Sequence, residues 1–202
     1  MANKTVKGIS WWAGGVRAGG PPIEYGRIAS NYGSAIYVGM PVRLLSTGYY
    51  EISPGTEGTP GLVYGVVATI GRYWDAARGR MVDSEATSPK YLPANVVYGS
   101  NVERESTVGI IPVNGQKFVM DADGALATPT RAGALAHIGE ACDHVIATDD
   151  VALDISAIST STQQWQVVDF VEAPNTDFTA SRVKFVVKCI EPQFPDASVT
   201  PI

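Results

Sequence analysis

The sequence is poor in charge, in cysteine and in long apolar runs, and each shortage excludes something. Charged residues make up 17% of the 202 residues, below the usual quarter, so much of the surface is suited to burial against partners. The two cysteines, Cys142 and Cys189, form no motif, and we expect them to be free buried thiols. No apolar run is long enough to predict a transmembrane helix, and no apolar segment follows Lys4 and Lys7 to predict a signal peptide.

The charge that is present is unevenly distributed along the chain. The net charge is −5, which argues against a nucleic-acid binder because such proteins are normally basic. A basic end on an acidic body predicts either an arm that docks onto an acidic partner or a solvated tail. Residues 1–45 carry +4 and the remainder −9, and the charged residues of that first segment are Lys4, Lys7, Arg17, Glu24, Arg27 and Arg43.

Wherever the apolar residues have a period, the period is two, which predicts strands. The strongest segment is 106–120, in which Asn114-Gly115 separates two apolar runs and predicts a hairpin with a type I′ turn. In the alternating segment 36–44, Pro41 predicts an edge strand or a break. Residues 134–140 fit either a helical turn or a strand. Further strands are predicted at residues 49–52, 62–70, 95–98, 151–155, 164–171 and 182–190.

These segments predict an all-β fold, a single β-barrel or sandwich with extended N-terminal and C-terminal arms. Residues 1–34 are interpreted as the N-terminal arm, residues 35–191 as the body, and residues 192–202 as the C-terminal tail. Residues 71–93 form a long insertion in the body, and a loop of this length is usually functional. No internal repeat of fixed period is visible.

Two adjacent tryptophans, Trp11 and Trp12, lie in the glycine-rich arm. Exposed indoles are costly in water, so these side chains are expected to pack on their own barrel or on a neighbouring chain. The glycine content favours the neighbour, because so flexible a segment forms no local core. Arg17 and Arg27 are the candidate charged contacts of the same arm.

The sequence contains no convincing constellation of chemical groups. Asp121-Ala-Asp123-Gly124 begins like a calcium loop, but an EF-hand needs Glu where Ala132 stands, so a turn is the better interpretation. No nucleophile elbow, phosphate-binding loop or acid–base pair is present. One cluster of possible metal ligands has neither the CxxC nor the HxxxH spacing, namely His137, Cys142, Asp143 and His144. The sequence therefore predicts no catalytic residue, no metal site and no cofactor.

Three stretches together resemble a known group of proteins. They are YVGMPVRLLSTGYYEI with GLVYGVVATI, then VGIIPVNGQKFVMDADG with ATPTRAGALAHIGEACDHV, then QWQVVDFVEAPNTDF with RVKFVVKCIEPQF. The pattern is similar to that of tailed-phage virion structural proteins, among them head decoration (cement) proteins. It covers residues 36–70 and 106–194 and includes no catalytic motif. Residues 71–93 and the WWAGG arm depart from it.

The resemblance implies a small, non-enzymatic β-barrel protein, a homo-oligomer and most often a trimer. Such a protein binds the outer capsid surface and stabilises the shell by bridging subunits of the major capsid protein. It implies a place on the virion after assembly in the host cytoplasm, without nucleic-acid or membrane binding. The residues that we expect to bind the partner are Trp11, Trp12, Arg17, Arg27, Tyr73 and Trp74.

Two alternatives remain open. One is another phage virion component, a head-fibre base or a tail protein. The other, from a different class, is a carbohydrate-binding or enzymatic β domain in which Tyr73 and Trp74 of the insertion form a stacking platform.

Overall fold

The all-β prediction is confirmed by a computed structural model of the chain. The structure describes residues 8–12, 20–55, 62–75, 78–82, 91–98, 105–147, 150–156, 163–172, 176–179 and 182–193. These residues contain 16 strands and one short helix, α1 (Arg131–Ala136). The strands are β1 (Ser10–Trp11), β2 (Glu24–Ile28), β3 (Ile36–Tyr37), β4 (Pro41–Leu44), β5 (Tyr50–Ile52), β6 (Gly65–Ile70), β7 (Tyr73–Asp75), β8 (Arg80–Val82), β9 (Tyr91–Leu92), β10 (Ser106–Pro112), β11 (Lys117–Ala122), β12 (Ala141–Cys142), β13 (His144–Ala147), β14 (Asp150–Leu153), β15 (Trp165–Phe170) and β16 (Lys184–Cys189).

The first part of the chain builds a closed barrel in which the strands pair in the order β10, β2, β5, β4 and β6. All neighbours are antiparallel except β2 and β5, which are parallel. Because successive residues of a strand point to opposite faces, every second residue enters the barrel. Branched apolar side chains fill this interior, among them Ile28, Val42, Val67, Ile70, Val108 and Ile110.

The second part of the chain builds a sheet in the order β12, β15, β16, β11, β14 and β13, with β1 also paired to β11. Its two outer strands, β12 and β13, are consecutive in the chain and are separated only by Asp143. The segment that they form pairs with β15 at one end and with β14 at the other, so the sheet closes on itself as a second barrel. Within this cycle only β11 and β14 are parallel.

The two barrels have the same topology. We letter the strands of each barrel a to e in chain order and count β12 with β13 as one strand. The cycle of neighbours is then a, c, b, d, e in both barrels, and a with c is the parallel pair in both. The chain therefore contains an internal structural repeat, which the sequence analysis missed. Strands a to e are β2, β4, β5, β6 and β10 in the first barrel, and β11, β12/β13, β14, β15 and β16 in the second.

The pairing register repeats as well. Strand d carries a β-bulge at the equivalent residue of each barrel, Ala68 and Val168. Its sequences GVVATI and WQVVDF share a single identical residue, which explains why the repeat is not visible in the sequence. Strands b and d are joined by the same pairs once 100 is added to each residue number: Pro41–Val66 and Val42–Gly65, then Ala141–Gln166 and Cys142–Trp165.

The hairpin predicted at residues 106–120 is wrong, although its turn lies where expected. The Gln116 N–H donates to the Val113 carbonyl at 3.1 Å, and Gly115 has a φ of 68°. Asn114 keeps a negative φ, so the turn has the form of type II and not of type I′. The strands on either side, β10 and β11, do not pair with each other, because one is strand e of the first barrel and the other is strand a of the second. The turn is the linker between the two barrels.

The boundary predicted after residue 34 differs from the structure, because β2 lies inside the segment that was interpreted as an arm. Ile28 of this strand is 1% exposed in the core of the first barrel. Gly26 occupies an inward position where a Cβ would lie 2.4 Å from the Tyr50 ring. The strand therefore lacks one of the inward apolar residues that would have made its alternation visible.

Residues 8–12 connect the two barrels. β1 pairs with β11, and the Ile9 N–H donates to the Gly39 carbonyl at 2.9 Å. Gly8 passes Gly39 so closely that a Cβ on Gly8 would lie 2.9 Å from the Gly39 Cα. Ile9 is 4% exposed and belongs to the same apolar cluster as Ile111 of the first barrel and Phe118 of the second. One continuous core thus spans the junction.

Of the other sequence predictions, some are confirmed by the structure and one is wrong. The break before Pro41 is confirmed, since β3 ends at Tyr37 and β4 begins at Pro41. The predicted strand at residues 95–98 is wrong, because Asn95 has a φ of 58° and the segment is a turn followed by irregular chain. The ambiguous segment 134–140 contains the end of α1. Five strand predictions are confirmed by β5, β6, β14, β15 and β16.

Candidate interaction surface

Tyrosine and phenylalanine are segregated along the chain. All nine tyrosines lie between residues 25 and 98, in the part that builds the first barrel, and all five phenylalanines lie after residue 117. Phenylalanine fills the second barrel, where Phe118 and Phe185 are 0% exposed. A tyrosine ring has an apolar body and a polar tip, and such rings are enriched at binding surfaces. The first barrel is therefore the better candidate for an interaction surface.

The most exposed aromatic side chain of the described residues lies on β2. Tyr25 is 72% exposed and Ile23, just before the strand, is 41% exposed. Across the sheet Tyr25 is opposite Gly109, which has no side chain to cover it. The space above Gly109 is shared by Thr69, whose Oγ1 is the nearest atom, and Ile23, whose Cγ2 would lie 3.0 Å from a Cβ at that residue. Ile23 and Tyr25 thus form an exposed apolar strip on the outside of the first barrel.

The start of β2 is held by tyrosines. The Tyr64 hydroxyl donates a hydrogen bond to Glu24 Oε2 at 2.5 Å. The Tyr50 ring packs edge-on against the Tyr64 ring, with 5.1 Å between their centroids. Burial, and then the bond to Glu24, raise the pKa of Tyr64 well above its ordinary value, so the hydroxyl stays a donor. Glu24 therefore presents a fixed carboxylate beside the apolar strip.

Arg27, which the sequence proposed as a partner contact, lies on the same strand. Its side chain is 61% exposed, and its Nε lies 3.1 Å from Glu105 Oε2. Glu105 is 7% exposed and also accepts a hydrogen bond from the Tyr49 hydroxyl at 3.3 Å. Arg27 is thus engaged within its own barrel while its outer face remains open to solvent.

The structure separates the two tryptophans. Trp11 packs partly buried against the core of the second barrel, and its Nε1 donates to Gln116 Oε1 at 2.9 Å. Trp12 is 37% exposed. Trp11 therefore anchors the N-terminal segment to its own chain, whereas Trp12 is available to a partner. Arg17 lies outside the described residues.

Tyr73 and Trp74 lie on β7, which pairs with β8 in a small antiparallel hairpin within the predicted insertion. Tyr73 packs on the core of the first barrel, and its burial raises its pKa. Both side chains are half-buried. Of the predicted partner-binding residues that the structure describes, Trp11 and Trp12 lie on or beside β1, Arg27 on β2, and Tyr73 with Trp74 on β7.

Sequence analysis missed Tyr91, which is 46% exposed. Its ring stacks on Tyr37, with centroids 5.3 Å apart and an angle of 25° between the planes. The two residues are opposite each other in the ladder of β3 and β9. Because they are 54 positions apart in the chain, only the pairing of these strands reveals the stack.

His144, a member of the cluster of possible metal ligands noted in the sequence, has a structural role. Trp165 Nε1 can only donate, so His144 Nδ1 accepts its bond at 3.2 Å, and Nε2–H donates to the Ser53 carbonyl at 3.1 Å. Burial lowers the pKa of His144 to about 4, so the ring is neutral at physiological pH. It joins the second barrel to the end of β5. Among the described residues no group of His, Cys, Asp and Glu has the arrangement of a metal site.

The two cysteines are buried and unbridged, as expected. Burial raises the pKa of both Cys142 and Cys189 to about 12, so both thiols are protonated at neutral pH. No helix among the described residues has the length and apolar character that a membrane span requires. Comparison of the chain with protein-family models, with curated proteins and with solved structures gives no match.

Proposed function

We propose that this protein is a non-enzymatic structural component of a phage virion, a capsid decoration protein that binds the outer surface of the shell and bridges subunits of the major capsid protein. The observation that carries the proposal is the presence of exposed apolar side chains on both barrels of one chain. Contacts from two linked modules add avidity without requiring either contact to be strong.

The part of the chain that builds the first barrel contributes Ile23, Tyr25 and Tyr91, which are 41%, 72% and 46% exposed, and Tyr91 lies on β9, beside the barrel strands in sequence but outside the barrel sheet. The second barrel contributes Leu135, Ile138 and Val145, each 40% exposed. Exposed apolar side chains grouped on a surface are typical of protein interaction sites. The low charge content of the chain supports the same interpretation, since charged residues are depleted at the centres of interfaces.

The shared core supports a bridging role. One apolar cluster crosses the junction and contains Ile9, Ile111 and Phe118. A mechanical force on one barrel is therefore transmitted to the other. We propose that the protein acts as a homo-oligomer, with a trimer as the favoured state, which multiplies the number of contacts with the lattice. Sedimentation velocity of the purified protein measures the number of subunits in the oligomer.

The proposal is tested with empty capsids assembled from the coat protein alone. We expect the purified protein to co-sediment with these capsids and to raise the temperature at which they disassemble. Tyr25→Ala and Trp12→Ala should each weaken binding, by about 2 kcal/mol where the residue is a hot spot. Lys188→Ala, at an exposed residue of β16, is the matched control and should bind like the wild type. Protein that stays in the supernatant at saturating capsid concentrations would refute the proposal.

A further inference from the structure

The structural repeat makes equivalent residues of the two barrels comparable. The bulge of strand d marks the same position on strand e of both barrels, and strand e in turn pairs with strand a. Counted from this bulge, Tyr25 of the first barrel is equivalent to Val119 of the second, and Glu24 is equivalent to Phe118. On the other side, strand a pairs with strand c only at its end, through Ile28 in the first barrel and through Asp121 and Ala122 in the second. The first half of strand a therefore has a free edge on this side unless another segment covers it.

In the second barrel the N-terminal segment covers this edge. Ser10 is opposite Val119, Trp11 is opposite Phe118, and the Trp12 N–H donates to the Lys117 carbonyl at 2.9 Å. Val119 is consequently 8% exposed, whereas Phe118 is 0% exposed because its side chain lies in the core against Trp165. The fold thus accepts a short extended segment with a large aromatic side chain at this place.

In the first barrel no described segment covers the equivalent edge. Among the described residues, β2 has no partner beside residues 24–26 on this side, and Ile23, Glu24 and Tyr25 are all exposed. The described ends of the chain are engaged elsewhere: β1 pairs with β11, and Gln193 accepts from the Leu44 N–H at 2.6 Å while its own N–H donates to the Val63 carbonyl. An open strand edge presents unpaired N–H and C=O groups that another extended chain can bind.

We propose that residues 23–26 of the first barrel accept an extended segment of the major capsid protein by strand addition, as β11 accepts β1. This inference rests on the proposed function. Main-chain hydrogen bonds supply affinity in this mode of recognition, and side chains at alternate positions supply specificity. The geometry of the second barrel defines the ligand, because the residue that corresponds to Trp11 lies opposite Glu24.

The side chains at the edge restrict further which residues the bound segment would carry. Ile23 and Tyr25 offer an apolar strip to a large aliphatic or aromatic side chain. The Glu24 carboxylate, held by Tyr64, favours a lysine, an arginine or a hydroxyl donor opposite it. We therefore expect the capsid segment to combine one basic or hydroxyl side chain with a neighbouring large apolar one.

The test combines amide hydrogen exchange with edge-blocking variants. On binding of the full-length protein to capsids, amides of residues 23–26 should exchange at least about tenfold more slowly. Tyr25→Lys places a charge at the edge, the device by which natural edge strands avoid pairing, and should weaken capsid binding at least about tenfold. Ile190→Lys, at a residue just after β16 that is 40% exposed, is the control and should bind normally. Equal melting temperatures of the two variants exclude a folding defect.

The outcomes are distinguishable. Capsid binding without protection of residues 23–26, and with normal binding by Tyr25→Lys, overturns the inference and leaves the proposed function standing. Protection that appears in the isolated protein at high concentration assigns the edge to a second copy of this chain and overturns the capsid assignment. Absence of capsid binding by the wild type refutes the proposed function and this inference with it.

Discussion

Tyr25 of the first barrel and Val119 of the second occupy the same position of strand a, yet Tyr25 is 72% exposed and Val119 is 8% exposed. Each lies opposite a residue of strand e beside the same bulge, Gly109 in one case and Val186 in the other. The difference arises on both sides, because Val186 has a side chain where Gly109 has none and because Ser10 lies opposite Val119 on the other edge. Among the described residues, the chain completes the edge of the second barrel with its own N-terminal segment and leaves the equivalent edge of the first barrel uncovered.

The linker between the barrels depends on a backbone conformation that favours glycine. Gly115 has a φ of 68°, and a β-branched side chain resists that region. Gly115→Val should lower the free energy of unfolding by about 1–3 kcal/mol, measured from urea denaturation. Gly124→Val is the control, because Gly124 has no positive φ and open space around it. An unchanged midpoint for Gly115→Val would contradict the type II turn.

The stability should depend on pH through His144. Its pKa is about 4 in the folded protein and 6.5 in the free side chain, so between these values the unfolded chain binds more protons. The contribution of the neutral ring is complete above pH 6.5 and is lost as the pH falls towards 4, by about 3 kcal/mol in total. Urea denaturation at pH 7 and pH 4.5 should show a smaller loss in His144→Gln than in the wild type, and equal losses would refute the assignment. His137→Gln, at the other histidine, controls for the removal of an imidazole.

The cysteines should be inert until the protein unfolds. Both thiols are buried and their pKa values are raised to about 12, so the thiolate that reacts is absent at pH 8. A thiol reagent such as Ellman's reagent should modify neither cysteine in the native protein and both in urea. Rapid reaction of either one under native conditions would contradict the burial of Cys142 and Cys189.

The N-terminal segment should contribute to stability and not only to binding. Ile9 is 4% exposed at the junction, and Ile9→Ala should destabilise the protein by about 2–5 kcal/mol, as expected for a buried isoleucine. Trp12→Ala, at a side chain that is 37% exposed, should cost much less. Thermal denaturation compares the two variants, and an equal loss in both would contradict the burial difference.

Removal of β2 should prevent folding of the first barrel. A deletion of residues 1–30 takes away strand a with Ile28, leaving β10 and β5 without their common neighbour. We expect this deletion variant to lack the cooperative thermal transition, whereas a deletion of residues 1–7 should retain it. A folded 31–202 fragment would show that the barrel closes without β2.

The sequence revealed the fold class because strands such as β16 alternate clearly: Phe185 and Val187 are buried and Lys188 is exposed. It did not reveal the repeat, because the two copies of strand d keep their bulge and register but almost none of their residues. The Asn114-Gly115 turn was located correctly, yet a local turn signal does not decide which strands pair across a sheet. Long-range pairing is set by the shared core, and short-range patterns carry little information about it.

The candidate interaction surface was only partly predictable for a similar reason. Trp12 and Arg27, which the sequence analysis singled out, are exposed, but Tyr25 gave no signal in the sequence. Its exposure results from Gly109 across the sheet and from the open edge beside it. Neither feature is visible before the strands are paired.

The central claim is tested most directly by electron cryo-microscopy of coat-protein capsids incubated with the purified protein. We predict added density on the outer surface at regular lattice positions. The two barrels should fit this density with β2 against the shell and with contacts to more than one coat subunit. Capsids without added density, or density in which β2 faces away from the shell, would contradict it.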